Sequence, residues 1–446
     1  HMKQRNQKDS GISRRNFIRS SVSAAAGLGL IRGGRLLGQD GEEPPGPKIK
    51  EYRTLGRTGF KVSDIGFGTG NLSNPNVIEA ALDMGINYID TAEHYGHGNS
   101  ERTIGQVISK RDRKKIFLTT KLNMMGGGSK EKLKARFIEC LERLQTDYAD
   151  CLMIHMVPTV EQVTHEGYHE AIQELKAEGK VRFTGLSNHG TEHKLAGPIK
   201  DEMDKIILAA AEDGRFDVVL FTYNFIQKEM GDRILKACKN KNMGTTLMKT
   251  NPVKFYQDMQ DMLERNLEQG RKFGEQFYKI IDEYKTLIDQ GEGFMKKYGL
   301  TSAEKTRDAA IKFCLSNPDV HSACSSMNSF EELETFVALS GTRLDPEEKA
   351  MLTDYKSKLG RYYCRHACGQ CEGNCPQGVP VNTIMRYFHY FAAQGREKYA
   401  MEKYNALSRN TADACSNCTE SYCEKACPYR VPVQGLLVLA HHTLTL

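Results

Sequence analysis

Between Tyr52 and Thr342 eight short apolar runs recur, at Asp64 to Thr69, Ile86 to Asp90, Ile116 to Lys121, Cys151 to His155, Val181 to Ser187, Asp217 to Tyr223, Thr245 to Thr250 and Val320 to Ser325. Segments such as SKEKLKARFIECLERLQ lie between them and carry apolar residues at three- and four-residue spacing, as helices packed on one side do. Eight strands alternating with helices is the count of a closed parallel barrel, so the chain is expected to be α/β, a (β/α)8 TIM barrel. In that architecture the loops at the carboxyl ends of the strands converge, and a reactive residue at a strand end is a candidate for the site.

Asp90, Lys121 and His155 each stand at the final position of a predicted strand, and Tyr95 follows Asp90 in the next loop. Reducing a carbonyl by hydride needs a proton for the developing alkoxide. A phenol, with an ordinary pKa near ~10, is a poor donor unless a nearby cation makes its phenolate easier to form. Lys121 is expected to supply that charge, Asp90 to hold Lys121, and His155 to bond the substrate oxygen or help relay the proton. His94 and His97, in the same NYIDTAEHYGHGNSE stretch, read either as lining or supporting the pocket or as surface residues.

The stretches RTLGRTGFKVSDIGFGTGNL, GINYIDTAEHYGHGNSE, FLTTKL, DCLMIH and VRFTGLSNH together resemble the aldo-keto reductase superfamily. That resemblance implies a nicotinamide-dependent oxidoreductase interconverting a carbonyl and an alcohol, its catalytic tetrad falling on Asp90, Tyr95, Lys121 and His155. It also implies that Ser187 and Asn188 hold the nicotinamide carboxamide. The family's turn after the eighth strand corresponds to CSSMNSFEELETFV: Ser325 and Ser326 fall in the turn, Asn328 where an arginine is common, Glu332 at the adenosine contact and Phe336 where asparagine is usual. A hydroxyl-rich turn still offers N–H groups to a phosphate. Lys249, ending the seventh predicted strand, is a further phosphate candidate, and NADP, NAD and a weakened nucleotide site all stay open.

The barrel is expected over residues 51–345, with a helical insertion at 252–302 that is either a lid or packing on the barrel side. Residues 346–446 carry two cysteine quartets, Cys364, Cys368, Cys371 and Cys375, then Cys415, Cys418, Cys423 and Cys427, each ending in Cys-Pro. CEGNCPQGVPV recurs as CEKACPYRVPV, an internal repeat. Such thiols suit iron-sulfur clusters, zinc or, in an exported chain, disulfides, and the Cys-Pro endings favour iron-sulfur. The region resembles an α-helical ferredoxin domain with two 4Fe-4S clusters. Its crossed ligation implies Cys364, Cys368, Cys371 and Cys427 on one cluster and Cys415, Cys418, Cys423 and Cys375 on the other. The remaining cysteines, Cys140, Cys151, Cys238, Cys314 and Cys324, read as buried apolar residues.

Residues 1–37, with SRRNFIRSSVSAAAGLGL, resemble a twin-arginine export signal, and 38–50 read as a polar linker. The first 39 residues hold eight Lys/Arg and one acid, a local +7 against +6 for all 446 residues, so the body is near neutral and offers no nucleic-acid surface. The expectation is an exported, periplasmic oxidoreductase acting on a small carbonyl or alcohol, sugar-like in one reading, whose clusters link it to an electron-transfer partner. The alternative is a non-enzymatic electron-transfer or assembly subunit with a degenerate nucleotide site.

Overall fold

A short antiparallel hairpin, β1 (Tyr52–Thr54) and β2 (Lys61–Ser63), precedes the predicted strands in this computed structural model. The eight strands then form as β3 (Ile65–Gly68), β4 (Tyr88–Asp90), β5 (Phe117–Leu122), β6 (Ala149–Ile154), β7 (Val181–Asn188), β8 (Val218–Thr222), β9 (Gly244–Met248) and β10 (Ser322–Ser326). They run parallel and close, β10 pairing with both β9 and β3 through Ala323↔Leu247 and Ala323↔Ile65. The structure describes residues 46–70, 74–124, 128–190, 199–253, 275–407 and 410–445. The export-signal segment 1–37 and residues 254–274 of the insertion lie outside them.

Closure explains why these strands are buried at nearly every position instead of alternating. Each is covered by helices outside and by the barrel interior inside, so FLTTKL of β5 and ADCLMI of β6 are buried throughout. Inside, Tyr88 stacks on Phe117 at 5.7 Å and Phe117 on Phe183 at 6.0 Å, above Leu55 and Val62 from the hairpin. Burying a large apolar side chain is worth about 1.5–3 kcal/mol, so the interior is packed core, and room for a ligand is left only at the mouth.

The outer helices follow from the predicted spacing. Lys130–Leu144 starts where Ser129 Oγ accepts the Lys132 N–H, buries Leu133, Phe137, Cys140, Leu141 and Leu144 on one stripe, and stops at Gln145 in the left-handed region. After β10 and the helix Phe330–Ala338, an Asp345–Glu348 capping box with Pro346 opens the helix Pro346–Leu359. Helices Val381–Gln394, Glu397–Asn405, Tyr422–Ala426 and Val433–Leu444 complete the chain, and residues 46–446 form one compact unit.

The C-terminal helices share a core with Phe225, Ile226 and Val253 of the barrel. The described part of the insertion, helix Glu275–Lys297, joins that core: Phe294 is buried and meets Tyr355 edge-on at 5.4 Å. Phe294 thus packs this half of the insertion against the C-terminal helices. No helix among the described residues is long and apolar enough to cross a membrane.

Candidate active site

Asp90 is the last residue of β4, Lys121 the last but one of β5, and His155 the first beyond β6. Strand pairing runs on to Leu122 and stops at Ile154, which moves two of the three by one place from the expected strand end. All three are nevertheless buried at one mouth. Lys121 Nζ donates to Asp90 Oδ1 at 2.6 Å and to the Thr91 carbonyl at 2.5 Å. The same ammonium lies 5.0 Å from the centre of the Tyr95 ring, and the His155 ring stands 5.8 Å from it, nearly perpendicular. All four predicted residues thus meet.

Burial raises the Asp90 carboxyl, and Lys121 pulls it back. Burial, and after it the Asp90 carboxylate, push the Tyr95 phenol well above its ordinary value. Tyr95 therefore stands protonated at neutral pH, as a proton donor must. Lys121 meets Asp90 in direct contact and stands beside the Tyr95 ring, and Arg396, from the C-terminal segment, also acts toward the phenolate.

The crowd of titratable groups in NYIDTAEHYGHGNSE now separates into roles. Glu93 pairs with Arg136 and accepts the Asn123 N–H at 3.1 Å, while buried Glu101 accepts from Arg143 Nε at 2.7 Å and the Thr120 hydroxyl at 2.6 Å. These two acids pin the loop and the helix Asn99–Ile108 to the barrel. His94 stacks on His155 at 4.7 Å and supports it, whereas His97 is exposed.

A cavity of about 520 Å³ opens from Asp90 and Tyr95 and is lined further out by Lys249, Ser325, Ser326, Asn328, Glu332 and Phe336. A tunnel of hydroxyls, amide and cation beside the tetrad fits a nicotinamide nucleotide. Glu332 already accepts the Asn328 N–H at 2.7 Å, and Phe336 brings an apolar ring where the family pattern has an amide. Ser187 and Asn188 do not line this cavity. Ser187 Oγ accepts the Met156 N–H at 3.2 Å, and Asn188 donates to the Val157 carbonyl at 2.5 Å, so both brace the turn after β6. Arg307, His389, Tyr390 and Arg396 line the cavity without having been foreseen. The last three belong to the C-terminal helices, and no local pattern in the sequence tells that those helices fold back onto the mouth.

All thirteen cysteines are free, so the disulfide alternative is not what the structure holds, and the five outside the quartets are buried as expected. Cys364 lies with Cys371, Cys368 and Cys427; burial first, and then these neighbours, push its thiol well above its ordinary value. Cys415 lies with Cys423, Cys375 and Cys418, and burial and these neighbours push it up to about 12. The spatial grouping is therefore the crossed one. Cys375, Cys415, Cys418 and Cys423 surround a small gap of about 30 Å³ closed by Val379, Val381 and Leu437. Among the described residues no three His, Cys, Asp or Glu side chains close on a single metal-ion position. As a donor set, four thiols in an apolar shell fit a soft, thiolate-bound centre.

The repeat extends to supports that the cysteine count missed. Asn382 donates to the carbonyls of Arg365 and Cys368 at 2.7 and 3.1 Å, and its N–H reaches Glu372 at 2.5 Å. Gln434 donates to those of Cys415 and Cys418 at 2.9 and 2.7 Å, and its N–H reaches Glu424 at 2.9 Å. Glu372 and Glu424, and Asn382 and Gln434, are separated by the same 52 residues as Cys371 and Cys423, which was the available signal.

A sequence profile described as the Aldo/keto reductase family matches residues 64–356, about two thirds of the chain and short of Cys364. The chain is 26% identical over 306 residues to L-galactose dehydrogenase of Arabidopsis thaliana, covering 65% of this chain and 87% of that protein. It is 24% identical over 355 residues to the NADH-specific methylglyoxal reductase of Escherichia coli, covering 69% and 98%. Among solved structures, the holo form of an aldo-keto reductase from Bacillus halodurans matches with a TM-score of 0.50 at 23% identity, covering 68% of this chain and 95% of that one, which shows a common fold.

Proposed function

The chain belongs to the aldo/keto reductase family and is an NAD(P)-dependent oxidoreductase; we propose that it is an exported one, carrying two 4Fe-4S clusters that connect it to an electron-transfer partner. The observation that carries the catalytic reading is the buried Asp90–Lys121 pair at 2.6 Å beneath Tyr95. The nicotinamide, when bound, gives or takes the hydride. Tyr95, held protonated, donates its phenolic proton to the carbonyl oxygen on reduction and takes it back on oxidation. Lys121, fixed by Asp90, keeps positive charge beside the phenolate that results, and His155 orients the substrate oxygen. Ser325, Ser326 and Asn328 would hold the nucleotide, with Glu332 bracing that turn.

The cluster reading is supported by the two crossed thiol groups and by their link to the cavity. Tyr363, next to Cys364, meets His389 edge-on at 6.1 Å, and His389 lines the cavity. Hydride moves two electrons together whereas a cluster accepts one, so the partner would contribute a carrier able to split the pair. Export is supported by the twin-arginine pattern, a route suited to a chain that takes up clusters before it leaves the cytoplasm.

The test is Tyr95→Phe in protein purified without oxygen. Turnover of a panel of small aldehydes with NADPH or NADH should disappear while iron and acid-labile sulfide stay at the unsubstituted protein's level. Undiminished turnover would sink the tetrad mechanism, and protein lacking iron and sulfide after anaerobic purification would sink the cluster reading.

A further inference from the structure

The catalytic cavity is walled partly by the C-terminal helices, and they bring charge to it. Around the Tyr390 ring stand three cations: Lys249 Nζ from the end of β9 at 5.2 Å, Arg396 at 5.4 Å and Arg386 at 6.0 Å from its centre. Arg386 donates to His189 Nδ1 at 3.3 Å, and the His189 ring is 6.3 Å from that of His155, so the cluster reaches back to the tetrad. Gly190, at φ +115°, turns the backbone there, and a Cβ on it would stand 3.4 Å from the Arg386 guanidinium.

Lys249 and Arg396 line the recessed cavity and Arg386 lies near them outside its lining, and like charges so placed repel one another and lose hydration. Lys249 feels both: burial, then Arg386 and Arg396, push it well below its ordinary value. Among the described residues neither Lys249 nor Arg396 has a carboxylate within ion-pair distance. Of the carboxylates lining the cavity, Asp90 turns to Lys121, Glu332 to the Asn328 N–H and Glu304 to the Ser302 hydroxyl, while Glu331 is exposed in the first turn of the helix Phe330–Ala338. An arrangement of this kind is completed by an anion from outside.

We propose that Lys249 and Arg396 form an anion subsite for the substrate, which is a carbonyl or alcohol compound bearing a carboxylate, held with its reacting carbon at Tyr95. The nucleotide's phosphates are the other source of negative charge. The hydroxyl turn suited to them is on β10, whereas Lys249 and Arg396 line the cavity from the end of β9 and from the C-terminal segment, and Arg396 is the one whose field reaches the Tyr95 phenol. The inference rests on the reductase reading above.

Succinic semialdehyde and butyraldehyde have the same four-carbon chain and differ in one carboxylate, so their ratio of kcat/KM isolates its contribution. The unsubstituted protein should prefer the acid. Arg396→Gln should cut that preference about 10- to 100-fold, the worth of a hydrogen bond to a charged group, and Arg396→Lys should retain most of it. No preference in the unsubstituted protein, or an unchanged ratio in Arg396→Gln, overturns the proposal. An unchanged ratio with weakened NADPH binding would in addition assign the cations to the cofactor. Succinate titrated calorimetrically needs no turnover: binding lost in Arg396→Gln, in a protein that reduces neither aldehyde, would keep the subsite and sink the reductase reading.

Discussion

At the barrel mouth the acids from Asp90 to Glu101 come in opposite-sign pairs, Asp90 with Lys121, Glu101 with Arg143 and Glu93 with Arg136. Around the cysteines they do not. Eight thiols gather in two groups, and Glu372 beside them has only backbone N–H partners, burial pushing it up to about 7. These acids are electrostatically complete in the protein alone, because each was desolvated together with its base. The cysteine lobe gathers eight potential thiolates against the buried Arg365 near Cys364 and Cys427, an excess that a cationic guest completes. The two regions therefore answer differently to substitution.

The largest effect is expected from Cys375→Ser, which belongs in sequence to the first quartet and in space to the second. It should remove about four of eight irons, and adding Cys418→Ser should remove no more, since both would serve one cluster. Iron and sulfide analysis that finds nearly all iron gone from the double variant would break the crossed grouping. Lys121→Met comes next. Stranding Asp90 should cost about 3–5 kcal/mol in denaturant unfolding, and Asp90→Asn in the same chain should recover most of it. A double variant no more stable than the single would show that the pair is not self-complete.

The smallest effects sharpen the repeat. Asn382→Ala and Gln434→Ala each leave two loop carbonyls without their amide donor, at about 1–3 kcal/mol apiece, and should add in the double variant because the two sites share no partner. Chemical denaturation of the four proteins decides it, and a loss at one position only would mean that the repeat is structural at one site alone.

What could be read along the chain follows from range. The eight strands were legible because burial on both faces demands apolar runs, and Asp90, Lys121 and His155 because strand ends are where a barrel concentrates chemistry. The two quartets were legible because their spacing repeats with Cys-Pro. Ser187 and Asn188 matched a motif, yet their side chains turn to the loop after β6, which no motif reports. The insertion carried helical spacing, but that spacing does not say which surface receives the stripe, and Phe294 went to the C-terminal core.

By itself, then, the sequence determined the closed barrel, the four residues of the tetrad and the two sets of thiols, because periodicity and spacing are local properties that backbone hydrogen bonding and burial turn directly into structure. Tertiary structure alone decided that Arg396 and His389 stand at the mouth with Tyr95, some three hundred residues away along the chain. It also decided that the Lys121 ammonium meets Asp90 at 2.6 Å and stands 5.0 Å from the centre of the Tyr95 ring. Both depend on distances across packed elements, and electrostatics acts through those distances whatever the order of residues along the chain.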